Sequence, residues 1–291
     1  MNENAKKHAH QMVSDPLLDL KRRKKQAWRQ VFSGLENPQD PLRLFENAAA
    51  VVREKRFIRV PHVMDHLFAL SRYQHLGRAR WDEEMKFSFA LDRMLVHFFK
   101  RPFSEIQAII DLEAMARTTA KIPQQAVLLT FHGSFPSLLQ VVFRHLYAEG
   151  FIVHDRGADR RREMLFSAMR ALLDKQAVYI APDSGFGARI RYCKVCQATV
   201  PFATGAAFLA YETRSYTGFY HLTRTSAGFA PNVIHGPRCF DGESYESYEA
   251  RLLDFYAASI EQVLTGDPRD VGLRGRWCAY LENEIPHTEP V

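Results

Sequence analysis

"AVLLTFHGSFPSLLQVVFRHL", residues 126 to 146, decides how this chain is read. Its first six residues form a short apolar run of the length and texture of a strand buried on both faces. From about Pro136 onward the apolar side chains recur at spacings of three and four, which predicts a helix. Between the two sit His132, Gly133 and Ser134. The same alternation continues downstream: "FIVHD" at 151–155 reads as a strand, "RREMLFSAMRALLDK" at 161–175 as a helix, and "AVYIAPD" at 177–183 as a strand. Strands alternating with helices predict an α/β fold, with a mainly parallel mixed sheet flanked by helices. In such sheets the loops at the carboxyl ends of the strands carry the chemistry. His132 and Asp183 both occupy loops of that kind.

Outward from this unit the texture changes. Residues 40–120 read as a helical region, with "PLRLFENAAAVVREKRF", "VMDHLFALSRYQHL" and "WDEEMKFSFALDRMLVHFFK" punctuated by Pro61 and by Gly77 with Arg78. "EIQAIIDLEAMARTTAK" is ambiguous: it can start as a strand around Ile106–Ile110 and continue as a helix from Asp111. Toward the C-terminus, "GFYHLTRTSAGFAPNVIHGPRCF" reads as strand, turn, strand, and "SYESYEARLLDFYAASIEQVLTG" as a long amphipathic helix ended by Gly266. The expected division is a basic arm and helical region over 1–105, followed by an α/β core over 106–291.

Composition bounds the function. Hydrophobic residues make up 46% of the 291, enough for a sizeable core. The 39 Lys and Arg against 33 Asp and Glu leave a formal charge of +6, which favours an acidic partner. No nucleic-acid-binding signature accompanies the basic residues, so no nucleic-acid partner is expected. The first residues hold no apolar stretch of the kind an export signal needs, and the 4 cysteines are too few for a disulfide framework. A reducing compartment is expected. Lys21, Arg22, Arg23, Lys24 and Lys25 precede Trp28 and Phe32 in "DPLLDLKRRKKQAWRQVFSGL". This pattern fits an interfacial helix on an anionic membrane, and equally a solvated basic helix whose aromatic side packs on the protein body.

An ordered series of segments carries a family resemblance. They are "DLEAMARTTAKIPQQAVLLTFHGSF", "AVYIAPDSGFG", "PFATGAAFLAYETRS" and the closing "GDPRDVGLRGRW". In this order, over about 106–280, the chain resembles the bacterial lipid A late acyltransferases, a branch of the lysophospholipid acyltransferase superfamily. The resemblance implies a transferase of lipopolysaccharide (lipid A) biosynthesis, peripheral at the inner face of the cytoplasmic membrane. It would move an acyl group from an acyl carrier protein or coenzyme A thioester to a hydroxyl or amine of a lipid acceptor. No cofactor or metal is implied. In this superfamily the catalytic histidine is followed, after four intervening residues, by Asp or Glu. The histidine takes the acceptor's proton and the carboxylate holds its tautomer and stabilises the imidazolium. The matching positions are His132 and Ser137.

Serine can hydrogen-bond an imidazole but brings no negative charge to it. Three readings follow. Another carboxylate replaces the missing one, Asp183 first and Asp155 second. Or the reaction needs less help, as in aminoacyl (for example glycyl) transfer from a carrier protein, or transfer to an amine. Or the chain is a non-catalytic membrane- or carrier-binding module. A histidine capping the helix near Pro136 is the plain structural alternative for His132, and Ser134 or Ser137 can cap that helix instead.

Beyond His132, Arg156, Arg160, Arg161 and Arg162 follow a predicted strand and suit phosphate oxygens of a substrate, with Arg189 and Arg191 extending the basic surface. Ser134 and Phe135 flank His132 as substrate-binding candidates. Phe131, Phe135, Phe186, Phe202 and Phe208 suit either an acyl-chain pocket or the core. "CKVC" at 193–196 has the spacing of half a zinc site, but two ordinary cysteines in or near a strand is the expected reading.

Overall fold

A computed structural model describes residues 32–37, 40–54, 61–153, 158–184, 188–273 and 275–283. Its centre is a five-stranded sheet in the order β2-β3-β1-β6-β7. The strands are β1 (Ala126–Leu129), β2 (Phe151–Ile152), β3 (Val178–Ile180), β6 (Tyr216–Thr225) and β7 (Gly228–His235). β1 runs parallel to both β3 and β6, β2 parallel to β3, and only β7 is antiparallel. Beside it stands an antiparallel hairpin of β4 (Ile190–Val195) and β5 (Ala198–Ala203). The expected α/β class with a mainly parallel sheet is what the structure has.

The short apolar runs are strands because both faces of the sheet are covered. Val127 and Leu129 join one core cluster and Ala126 and Leu128 the other, all fully buried. Alternating side chains that both meet a core leave no polar position in β1.

Helices supply the two covers. They are α1 (Leu44–Arg53), α2 (Pro61–Leu70), α3 (Arg78–Leu95), α4 (Phe103–Ile106), α5 (Leu112–Thr119), α6 (Pro136–Leu146), α7 (Ala158–Leu173), α8 (Gly205–Thr213), α9 (Tyr245–Leu264) and α10 (Gly275–Asn283). Pro61 opens α2, and Gly77, at φ 76, precedes α3. The helices before residue 106 pack into the same cores as the sheet. In α3, Trp81, Met85 and Phe89 enter the first cluster, while Leu91, Met94 and Leu95 enter the second.

The ambiguous segment resolves as helical turns rather than a strand. Residues 106–110 form the end of α4, a 3-10 turn over Gln107–Ile109, and a single bridge from Ile110 to Phe229. Ile106, Ile109 and Ile110 are the buried residues there, at the spacing of a helical turn rather than the alternation of a strand. The helix expected from Asp111 is α5. The Asp111 carboxylate accepts from the Ala114 N–H at 2.9 Å and caps it.

Candidate active site

β1 and β3 are adjacent and parallel, with Leu129 opposite Ile180, so the loops leaving their carboxyl ends lie side by side. The first loop carries His132 and the second, a 3-10 turn over Pro182–Ser184, carries Asp183. The Thr130 N–H continues the pairing by donating to the Ile180 carbonyl at 2.9 Å. His132 Nδ1 lies 2.9 Å from Asp183 Oδ1, and the His132 backbone N–H donates to Oδ2 at 3.0 Å. One carboxylate thus grips both the ring and the backbone of the same residue, which fixes the ring's orientation. The His132 side chain is 41% exposed and that of Asp183 is 0% exposed. The pair has the form of an accessible imidazole held by a buried acid.

One further donor reaches this acid, and a phenol stands close by. Trp277, on α10, donates its indole N–H to Oδ2 at 2.6 Å, and the Tyr256 hydroxyl, on α9, stands 3.5 Å from Oδ1 while donating to the Thr130 carbonyl at 2.6 Å. Burial by itself pushes the Asp183 carboxyl up. The charge and hydrogen bonds of His132, with the Trp277 indole, outweigh it and hold the carboxyl below its ordinary range. A carboxylate acceptor on Nδ1 requires the N–H on that nitrogen, which leaves Nε2 as the basic atom.

The loop is shaped for this arrangement. A Cβ at Gly133 would fall 2.4 Å from Phe131 Cε2, so the close approach of backbone to ring requires glycine. Phe135 adopts a left-handed conformation, φ 47, rare for a bulky residue, immediately before α6. Its ring is buried and meets Phe229 edge-on at 5.0 Å. The packing that holds this ring also holds the turn that aims His132.

Of the other expected site residues, Ser134 and Phe135 are both 0% exposed and present no surface to a ligand in this structure. Ser134 does not cap α6: its hydroxyl donates to the Leu222 carbonyl at 3.1 Å, and the capping position is Phe135, which makes no side-chain capping bond. Ser137, at the position that the resemblance gives to an acid, is buried in the first turn of α6, and Asp183, the first candidate to replace that acid, holds His132 Nδ1. Arg189 is paired with the buried Glu249 at 3.1 Å and stands over the Tyr245 ring, while Arg191 lies 3.6 Å from Asp254. Arg162 is exposed and covers the Phe166 ring. Asp155, Arg156 and Phe186 lie outside the described residues, as do the side chains of Arg160 and Arg161. So do Lys21 to Lys25 and Trp28, although Phe32 packs against the second core cluster.

Phe131 and Phe202 are core residues, 0% exposed. Cys193 lies on β4 and Cys196 in the following turn; both are buried free thiols, pushed up by burial, Cys196 to about 12. Among the described residues no group of His, Cys, Asp and Glu could hold a metal ion. No helix among them is long and apolar enough to cross a membrane.

Trp277 and Tyr256 escaped the reading of the sequence as site residues. Trp277 is the aromatic that ends "GDPRDVGLRGRW", which was a signal; Tyr256 sits among the apolar residues of a long helix and offers none. In comparison with known proteins, the chain matches no family model and no curated protein.

Proposed function

We propose that this protein is an acyltransferase of the lysophospholipid acyltransferase type, in which His132 is the general base and Asp183 its partner. The observation that carries the reading is the 2.9 Å contact between His132 Nδ1 and the buried Asp183 carboxylate, beside an exposed imidazole. The acid that the superfamily places five positions beyond the histidine is here reached from the neighbouring strand. Nε2 takes the proton of the acceptor hydroxyl or amine as its oxygen or nitrogen attacks the thioester carbonyl. The imidazolium so formed is stabilised by Asp183, and its proton passes to the departing thiolate.

The donor is an acyl or aminoacyl thioester on an acidic carrier protein, which the overall positive charge suits. The acceptor is a lipid of the lipid A kind at the inner face of the cytoplasmic membrane. The absent acid at Ser137 was the hint for an amine acceptor or an aminoacyl donor. With Asp183 on Nδ1, the base serves a hydroxyl and an amine alike, and the hint no longer separates them. A buried acid gripping an exposed imidazole also speaks against a module retained for binding alone.

The test is incubation of the protein with a range of loaded carrier proteins and total lipid extract, followed by mass spectrometry. A mass gain on a lipid names the transferred group, and His132→Gln should abolish it. Full transfer by that variant, or no mass gain with any donor, would overturn the reading.

A further inference from the structure

We propose that Trp277 is a positioning residue for Asp183, and that the segment Asp267–Leu273 is a strap that sets it in place. The inference rests on the dyad proposed above and adds the element that holds its acid.

The strap is fastened at successive points. At its start the Asp267 carboxylate accepts from the Arg269 N–H at 3.0 Å, closing a 3-10 turn over Pro268–Asp270. Next, Asp270 Oδ1 accepts from the Arg224 backbone N–H at 2.6 Å, tying the turn to the end of β6. Then the Gly272 N–H donates to the Gly133 carbonyl at 2.9 Å, so the strap is bonded to the residue directly after His132. A Cβ at Gly272 would stand 2.9 Å from the Asp92 Cβ and 3.2 Å from a Phe135 ring carbon, an approach that glycine permits. Val271 and Leu273, 0% and 2% exposed, anchor the strap in the first core cluster, which Trp277 shares. The Trp277 ring finally meets Phe131 edge-on at 5.5 Å and delivers its N–H to Asp183.

The chemistry explains why an indole suits this place. Asp183 Oδ2 accepts from two donors, the His132 backbone N–H and the Trp277 N–H, which leaves Oδ1 turned to Nδ1. An indole N–H is a donor only and does not ionise across the working range, so it never competes for the proton that His132 handles. It also holds the acid charged in a buried place, where a charge without donors is unfavourable.

Trp277→Phe keeps the ring and removes the donor. Transfer should fall about tenfold in kcat, with KM unchanged. Freed of one donor, the carboxylate attracts the imidazolium more strongly, so the His132 ring titration, followed by NMR without substrate, should move to higher pH. Asp183→Asn should move it to lower pH. An unmoved His132 titration in Trp277→Phe, with Asp183→Asn shifting it, would overturn the role of Trp277 and leave the dyad standing. No shift in either variant would overturn the dyad itself. Should Trp277→Phe fail to fold, the wild-type protein still answers: the Trp277 indole N–H resonance should follow the His132 titration through their shared acid, and a flat response would overturn the proposal.

Discussion

Asp183→Asn is the change that most sharply separates a catalytic pair from a structural one. The Asp183 carboxylate accepts from His132 Nδ1 on one oxygen and from the His132 backbone and Trp277 N–H groups on the other. Alanine would strand these donors, at ~1–3 kcal/mol for the buried Trp277 N–H and less for the part-buried His132 groups, and confuse folding with function. Asparagine has the same shape but a single acceptor oxygen. That oxygen belongs where two donors converge, in the place of Oδ2. The amide NH2 then falls at the Oδ1 position, 2.9 Å from Nδ1, and donates to it. The imidazole must answer by moving its proton to Nε2, the atom that should receive the acceptor's proton. A base in the wrong tautomer lowers turnover about ten-thousandfold, or ~5 kcal/mol of barrier. Stability should change by less than about 2 kcal/mol, because the lost bonds are offset by release of a buried charge. The assay is kcat for transfer from the donor identified by mass spectrometry, with thermal unfolding followed by circular dichroism on the same samples. Turnover within tenfold of wild type, in a background where His132→Gln is inactive, would refute the tautomer argument.

Two predictions concern stability. Burial pushes the Asp270 carboxyl up to about 7, Asp267 adding to the rise, while the Arg224 N–H, Arg269 and the Arg224 charge oppose it. The folded state therefore binds this proton more tightly than the unfolded chain. Its contribution is complete below the ordinary carboxylate range and is lost as pH rises through about 7. Asp270→Asn should leave stability unchanged near pH 4 and raise it by about 2 kcal/mol near pH 8, after allowance for partial solvent exposure. Denaturant unfolding at the two pH values checks this, and an equal effect at both would contradict it. Gly133→Ala should destabilise by about 1–3 kcal/mol, because the new methyl group meets the buried Phe131 ring and forces it or the His132 loop aside. Transfer should fall with it, and a variant of unchanged melting temperature and rate would show that the loop absorbs the methyl group freely.

Much of this architecture is written locally. The run 126–131 has the length and texture of a short buried strand, and Pro136 with the periodic residues that follow suits the start of a helix, so the sequence points to His132 at a strand's carboxyl end. The same reasoning puts Asp183 at the end of another strand. At 106–110, where isoleucines at helical-turn spacing left a strand and a helix both open, a helical turn forms, and no local pattern announced the β4/β5 hairpin. Short apolar stretches are ambiguous in period, and tertiary packing chooses between the readings.

The sequence by itself determined the α/β class, the two loops and the histidine, because periodicity and turn residues act over a few positions. It also showed a serine at 137, where the proposed family resemblance would put a charge. Only the tertiary structure decided what supplies it. Strand order, which puts β3 rather than β2 beside β1, brings Asp183 to His132 across 51 positions, and the strap brings Trp277 to Asp183 across 94. Pairing over such distances is chosen by the sheet and the core as a whole, and no local pattern of residues records it.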